Sequence, residues 1–225
     1  DGVSQDKPQA LKWYLKAADV HPTIQVSHQL ATMYAEGHGT PQDYAQALTW
    51  YQQTLEQETH EIYDGLKINA TYEIGMIYAK GRGVIADKST ALKWFLKAAE
   101  SDTELDSYAA MLQLYLLYHH GDGVAQNALE AKLWLARAQQ HDEEYWNTAY
   151  QLGELYYFAD DTKQDYAEAF KWYSLAAEKN DADAQYSLGW MCEYAQGVNK
   201  DLAQAFNWYN KSAEQDHSSA QYRLG

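Results

Sequence analysis

The sequence predicts an all-α structure made of repeated helix pairs, and three regularities support this prediction. Six tryptophans recur at intervals of 36 to 44 residues, each within a similar string of residues. A tyrosine, or in one case a cysteine, lies 16 residues before each of the last five tryptophans. Apolar residues inside these blocks follow the helical period, and no stretch alternates as a strand would. The six positions are Trp13, Trp50, Trp94, Trp134, Trp172 and Trp208.

Each repeat begins with a predicted first helix that reads Ala-x3-Leu-Gly-x2-Tyr, with close variants such as residues 70–78. The alanine, the leucine and the tyrosine fall on one face of a helix and form the predicted core stripe. Small residues at the alanine and glycine positions should let neighbouring helices approach closely. Tyr115 breaks this rule in the third repeat.

A turn containing Gly-x-Gly follows the first helix, as in residues 81–83. Glycine suits this place because a helix C-cap needs a positive φ. In the last two repeats Ala159, Asp161 and Ala195 replace such glycines, so we expect those turns to be looser or shifted. Aspartates placed six residues after the first turn position should cap the next helix. They are Asp43, Asp87, Asp165 and Asp201.

The second helix of each repeat carries Ala-x2-Trp and a later Ala-Ala pair, and we expect it to bury the alanines and the tryptophan. The helix pairs should be centred on residues 30/50, 74/94, 114/134, 152/172 and 188/208. We predict one repeat domain over residues 1–225. Its parts are a partial repeat at 1–20, repeats at about 23–57, 69–102, 107–140, 145–180 and 181–216, and a partial repeat at 217–225.

Composition excludes several classes of function. The chain of 225 residues has 32 acidic and 17 basic residues and a net charge of −15, which disfavours nucleic acid and anionic membranes as partners. Cys192 is the single cysteine, and its place in a core stripe predicts a structural thiol rather than a nucleophile. The eight histidines show no metal-ligand spacing, and no catalytic motif is present. We therefore expect no metal, no cofactor and no enzymatic activity.

The repeats resemble Sel-1-like repeats, relatives of the tetratricopeptide repeat. Residues 70–99 match that motif best, from the first alanine through Gly-x-Gly-Val to Trp-Phe-x-Lys-Ala-Ala, and the resemblance covers essentially the whole chain. It implies a right-handed α-solenoid of antiparallel helix pairs and a scaffold or adaptor role. Many bacterial relatives are periplasmic or secreted and others serve in the endoplasmic reticulum, so the compartment stays open. Since the chain starts within a turn and ends within a first helix, we expect a fragment of a longer protein.

An aromatic row on the first helices is the candidate binding site. Helical spacing aims these positions away from the core stripe, towards the concave surface that first helices line in such solenoids. Tyrosine and tryptophan suit recognition because they offer large contact area at small entropic cost. The alternative is that the rings fill gaps between adjacent repeats. The candidate residues are Tyr72, Tyr150, Glu154, Tyr157, Tyr186, Trp190, Glu193 and Tyr222.

Charge indicates what the partner would look like. Residues 142–225 carry 15 acids and 6 bases, a net charge of −9, and they hold most of the aromatic row. The expected partner is a protein or peptide with a basic or polar surface. The chain itself would then be a bacterial envelope adaptor or a toxin-immunity protein. A module that binds glycan or peptidoglycan is the alternative, since sugars also stack on aromatic rings. A hydrolase is a more remote alternative.

Overall fold

The computed structural model describes residues 6–57, 64–100, 105–140, 148–158 and 164–225. Within these ranges the chain forms twelve helices and no strand. The helices are α1 (Lys7–Val20), α2 (Ile24–Glu36), α3 (Tyr44–Glu56), α4 (Asp64–Lys80), α5 (Lys88–Ala98), α6 (Leu105–His120), α7 (Ala128–Gln139), α8 (Thr148–Tyr157), α9 (Tyr166–Glu178), α10 (Ala182–Tyr194), α11 (Leu202–Ala213) and α12 (Ser218–Leu224). This all-α arrangement of helix pairs confirms the predicted fold class.

The chain divides into two compact units, residues 1–138 and 139–225. Unit 1 contains α1 to α7, and unit 2 contains α8 to α12. In unit 1, α3 packs against both α2 and α4, and in unit 2, α9 packs against both α8 and α10. A second helix therefore contacts the first helix of its own pair and the first helix of the next pair, which makes the core continuous within each unit.

In three pairs, a glycine in the first helix receives an aromatic ring from the second helix, and this contact closes the pair. A Cβ built on Gly75 would lie 2.6 Å from Phe95, and one on Gly153 would lie 2.5 Å from Tyr173. Gly189 has the same relation to Tyr209, at 2.6 Å. All three rings are buried. Since any side chain would displace the ring, the predicted close approach at the glycine position is confirmed.

The tryptophans are not the buried residues that the sequence predicted. Trp94 and Trp172 are half-buried, and Trp13 is 59% exposed, whereas Phe95 and Tyr173 are buried. Consecutive residues on a helix point about 100° apart, so only one of the two adjacent rings can face the centre of its own pair. Trp94 instead packs against a core cluster formed by α2, α3 and α4, which belongs largely to the preceding pair.

Basic side chains cover part of several tryptophan rings. The Lys97 ammonium lies 5.6 Å from the centroid of Trp94, and the Lys211 ammonium lies 4.3 Å from that of Trp208. Each pair is three residues apart, so both side chains share one helix face. The tryptophan side chains thus lie between neighbouring repeats, with one edge of the ring towards solvent.

The expectation for the alanines of the second helix is confirmed, because Ala91, Ala98 and Ala99 are buried.

The predicted aspartate caps are confirmed in both units. Asp43 accepts hydrogen bonds from the backbone N–H groups of Ala45 and Gln46, both at 3.0 Å. Asp165 makes the equivalent two bonds at the start of α9. Asp87 and Asp201 cap α5 and α11 through one backbone N–H each. These bonds satisfy backbone donors that have no partner within the helix.

The turn at Ala195 is neither looser nor shifted, which corrects the expectation from the sequence. Ala195 adopts φ 58° and ψ 40°, the left-handed conformation that Gly37 has at the same place in the first pair. The Gln196 N–H donates to the Met191 carbonyl at 3.0 Å, as His38 does to Met33 at 2.8 Å. Packing of α10 and α11 therefore imposes the turn on an alanine. The corresponding expectation for Ala159 and Asp161 lies outside the described residues.

Replacing Ala195 with glycine should raise the free energy of unfolding by about 0.5–1 kcal/mol. The left-handed conformation costs a residue with a Cβ roughly 1–2 kcal/mol, and the greater freedom of glycine in the unfolded chain offsets part of the gain. Chemical denaturation followed by circular dichroism measures the change. Gly197→Ala is the matched control in the same turn, and it should destabilise, because its Cβ would lie 2.3 Å from the Tyr166 carbonyl oxygen. A loss of stability in Ala195→Gly would show that the left-handed backbone of Ala195 is not strained.

No helix in the described ranges has both the length and the apolar character needed to cross a bilayer.

Candidate functional site

Tyr72, the one candidate in unit 1, belongs to the packing of its own helix pair. Its ring centroid lies 5.9 Å from that of Phe95, and the side chain is half-buried. Burial raises the pKa of the Tyr72 hydroxyl, and the nearby carboxylates of Glu73 and Asp106 add to the increase. Tyr72 therefore sits in an acidic environment inside unit 1.

A chain of polar side chains connects three first helices beside Tyr72. The His28 ring nitrogen Nε2 lies 2.6 Å from Asn69 Oδ1, and the Asn69 amide donates to Asp106 at 3.1 Å. Burial is the main cause that raises the pKa of Asp106, and the pKa of Glu73 is raised by burial and then by Asp106. Unit 1 thus holds two carboxyl groups close together at partly buried positions.

Replacing Glu73 with glutamine should stabilise the protein at pH 7. The folded-state pKa of Glu73 lies above its ordinary value of 4.5. The unfolded state therefore loses its proton first as pH rises, and stability falls as pH passes upward through the raised pKa. Denaturation midpoints measured between pH 4 and pH 7 should fall less with pH in Glu73→Gln than in the wild type. Equal slopes in the two proteins would contradict this assignment.

In unit 2, four of the predicted residues line one cavity of about 310 Å³ between α8, α9 and α10. They are Glu154, Tyr157, Tyr186 and Trp190. The cavity is completed by Phe158, Tyr173 and Ser187, which were not among the predicted residues. Five of the seven lining residues carry aromatic rings and one carries a carboxylate. The cavity is therefore apolar with a single acidic group. Its volume is at the lower end of the range of about 300–1,000 Å³ for ligand pockets.

Glu154 is held in position by tyrosine hydroxyls. The Tyr173 hydroxyl donates to Glu154 Oε1 at 2.6 Å. Burial raises the pKa of Tyr173, and its hydrogen bond to Glu154 adds to the increase. For Tyr150, whose ring lies 5.7 Å from that of Tyr173, burial again raises the pKa and the charge of Glu154 contributes next. Tyr150 is not among the lining residues, and it packs against the Tyr173 ring that bonds to the carboxylate.

Tyr157 and Phe158 form the aromatic wall that α8 contributes. The Tyr157 hydroxyl donates to Gln196 Oε1 at 2.8 Å, and this bond ties the ring to the turn after α10. Its ring centroid is 4.7 Å from that of Phe158, in an edge-to-face arrangement. Burial raises the pKa of Tyr157. Phe158 itself is 67% exposed, so this wall has a fixed inner ring and an accessible outer ring.

Tyr186 borders two neighbouring cavities. Besides the cavity described above, it lines one of about 350 Å³ together with Ser218, Ser219, Tyr222 and Arg223. It stacks on His217 at 4.8 Å and lies 5.6 Å from Tyr209. Tyr222 is 85% exposed. The Tyr186 ring therefore packs between repeats and also contributes to a surface.

Glu193 and Trp190 meet Arg223 of α12. The Tyr209 hydroxyl donates to Glu193 Oε2 at 2.7 Å, and Arg223 Nη1 lies 3.7 Å from Glu193 Oε1. The Arg223 guanidinium lies 4.4 Å from the ring centroid of Trp190. Trp190 thus has α12 on one side and the cavity on the other.

The structure brings together all the predicted site residues except Tyr72, which lies in unit 1. Glu154, Tyr157, Tyr186 and Trp190 share a cavity, while Tyr222 and Glu193 adjoin it through Tyr186 and Arg223. The rings of Tyr157, Tyr186 and Trp190 are half-buried, and each packs against a neighbouring ring while it also lines the cavity.

Helix periodicity on the first helices could not find Tyr173 or Phe158. Tyr173 comes from a second helix, and the repeated Trp-Tyr and Trp-Phe pairs were the available signal for a second ordered ring. Phe158 follows directly after α8. A large apolar residue next to a turn without glycine was the available signal there. Ser187 carried no signal of its own, because its role depends on what surrounds it.

The potential metal ligands and the single cysteine of the described residues do not form a reactive centre with one another. No group of three or more histidine, cysteine, aspartate or glutamate side chains is placed there to hold a metal ion. Cys192 is buried, with Sγ 3.4 Å from Gln204 Oε1, and burial raises the pKa of its thiol. A raised pKa keeps the thiol protonated at neutral pH, as expected of a structural cysteine.

Helix pairs in series define a helical repeat protein. The family model described as Sel1 repeat matches residues 1–20, 27–58, 68–102, 109–138, 147–181 and 182–217. The chain therefore belongs to the Sel1 repeat family, whose members generally act through protein–protein interaction. No protein of known annotation matches the chain significantly in sequence.

Solved structures from bacteria are similar to this chain. A protective antigen present in uropathogenic Escherichia coli strains, with the same repeat fold, is 30% identical with a TM-score of 0.58. The similarity covers 100% of this chain but only 45% of the antigen, so this chain spans less than half of that protein. A Sel1 repeat protein from Oxalobacter formigenes is 28% identical with a TM-score of 0.56, covering 97% of this chain and 83% of that protein.

Proposed function

We propose that the protein is a scaffold or adaptor that binds a partner protein through unit 2. The observation that supports this most directly is the cavity between α8, α9 and α10, in which residues from three helices place aromatic rings around one carboxylate. Aromatic residues in partly desolvated pockets are typical of the residues that dominate protein interfaces. The binding residues are Glu154, Tyr157, Tyr186 and Trp190, with Glu193, Tyr222 and Tyr150 around them. Tyr72 remains a candidate for a separate contact in unit 1.

The partner's contacting surface is basic or polar. Residues 142–225 carry a net charge of −9, and Glu154 and Glu193 lie among the rings. Opposite charge on the partner would accelerate association and make it sensitive to salt. The role is non-enzymatic, in line with the family. Similar structures from bacteria support a bacterial setting, in which we propose an envelope adaptor or a toxin-immunity protein.

Affinity capture with matched baits tests this proposal. The wild-type chain, Trp190→Ala and Met76→Ala are used as baits on an extract of the source cells. Met76 occupies in α4 the repeat position that Trp190 occupies in α10, so it controls for the loss of a large side chain. A protein retained by the wild type and by Met76→Ala, but depleted with Trp190→Ala, would support a site in unit 2. Equal retention by all three baits would contradict it.

A further inference from the structure

Two successive junctions between first helices in unit 2 can be compared position by position. The repeat period there is 36 residues, so α10 follows α8 as α12 follows α10. Glu154 and Tyr157 of α8 correspond to Trp190 and Glu193 of α10. Phe158, the residue directly after α8, corresponds to Tyr194. Each set contains one carboxylate and two aromatic rings, although the order differs.

At the junction of α10 and α12, this set holds an arginine. The Arg223 guanidinium lies 4.4 Å from the Trp190 ring centroid and 5.8 Å from that of Tyr194. Arg223 Nη1 donates to the Tyr194 hydroxyl at 3.2 Å and lies 3.7 Å from a Glu193 oxygen. Two rings and a carboxylate thus surround one guanidinium, which combines cation–π attraction with charge pairing.

At the junction of α8 and α10, the residue that corresponds to Arg223 is Ser187. Ser187 lines the cavity of about 310 Å³ together with Glu154, Tyr157 and Phe158. A serine side chain is too short to occupy the volume that an arginine takes at the next junction. The cavity therefore has the ring and carboxylate environment of an arginine site, without an arginine of its own chain.

We propose that this cavity binds an arginine side chain of the partner protein, with Glu154 as its counter-ion. The proposal rests on the proposed function and specifies the chemistry of the same site. Arginine fits better than lysine because its planar guanidinium can stack on a ring while it donates to a carboxylate. The rings of Tyr157, Phe158 and Trp190 provide the stacking faces, and the partly buried carboxylate provides the charge.

The first experiment supplies the missing arginine from within the chain. Ser187→Arg should raise the Tm by about 2–4 °C relative to Ser187→Gln, which is a polar variant of similar helix propensity without the charge. Thr49→Arg adds the same charge to an exposed position of α3 and should change the Tm by less than about 1 °C. A Ser187→Arg variant no more stable than Ser187→Gln would contradict an arginine-shaped environment.

The second experiment supplies the arginine from outside and does not depend on the stability of a variant. The probe is a capped Gly-Arg-Gly peptide, titrated while the Trp190 indole N–H is followed by NMR. Saturable shifts with a Kd of about 1 mM are expected. A capped Gly-Gln-Gly peptide should give none, Glu154→Gln should weaken binding at least fivefold, and Ser187→Arg should abolish it.

The outcomes separate this inference from the proposed function. If the arginine and glutamine peptides behave alike, or if a trimer of N-acetylglucosamine shifts Trp190 in their place, the cavity is not an arginine site. The proposed function would still stand if the captured protein loses affinity for Trp190→Ala. If that affinity is unchanged while the arginine peptide binds, the cavity recognises arginine but the proposed partner site is wrong.

Discussion

Replacing Phe95 with alanine should lower the free energy of unfolding by about 3–5 kcal/mol, the range for large aromatic truncations in a core. The Phe95 side chain is fully buried and rests on Gly75, where no other side chain can fill the space it leaves. Trp94→Ala should cost less, about 1–3 kcal/mol, because Trp94 is only half-buried. Denaturation by urea, followed by circular dichroism, measures both variants under the same conditions.

Unit 2 provides the matched control for this comparison. Tyr173→Phe keeps the ring against Gly153 and removes only the hydrogen bond to Glu154, so it should cost far less than Tyr173→Ala. Because repeats couple mainly to their neighbours, Phe95→Ala can also separate unfolding into two phases. A larger loss in Trp94→Ala than in Phe95→Ala would show that the tryptophan, and not the ring after it, closes the pair.

Replacing Trp190 with alanine should weaken binding of the captured partner about 10- to 100-fold, or about 1.4–2.8 kcal/mol. Trp190 lines the cavity, and its loss also removes the ring that Arg223 covers. The variant should therefore lose some stability as well, and affinity is measured by calorimetry at a temperature where both proteins are folded.

Phe158→Ala separates the two effects of such a substitution. Phe158 is 67% exposed, so its removal should change the Tm little and still lower the affinity. Met76→Ala, at the matching position in unit 1, should leave the affinity unchanged. If Trp190→Ala melts early while the remaining folded protein binds normally, the ring serves packing only and the site assignment is wrong.

The sequence was sufficient for the helices and their caps, because these depend on local chemistry. The four predicted aspartate caps and the apolar period depend on contacts within a few residues, and both appear in the structure as predicted. The choice between adjacent rings was not local. Whether Trp94 or Phe95 faces the pair depends on Gly75, which lies on another helix, and periodicity could not decide between two neighbouring positions.

The same reason explains what the sequence missed at the candidate site. Helical spacing identified Tyr186 and Trp190 as a stripe, but it could not show that a second helix contributes Tyr173 to the same cavity. The left-handed Ala195 could not be anticipated either, since its conformation is imposed by the packing around the turn. The position of each site residue within its repeat was predictable from the sequence. How deeply each side chain is buried, and which residues form the opposite wall of the cavity, depend on tertiary structure.

Site-specific photo-crosslinking tests the central claim, that unit 2 binds the partner at this cavity, most directly. Benzoylphenylalanine is placed at Phe158, at the rim of the cavity, and in a second protein at Ile85, which is 91% exposed in unit 1. Irradiation of cells expressing each protein is followed by electrophoresis and mass spectrometry. We expect one crosslinked protein from position 158, absent when Trp190→Ala is added, and none from position 85. A crosslink from position 85 with none from position 158 would contradict the claim.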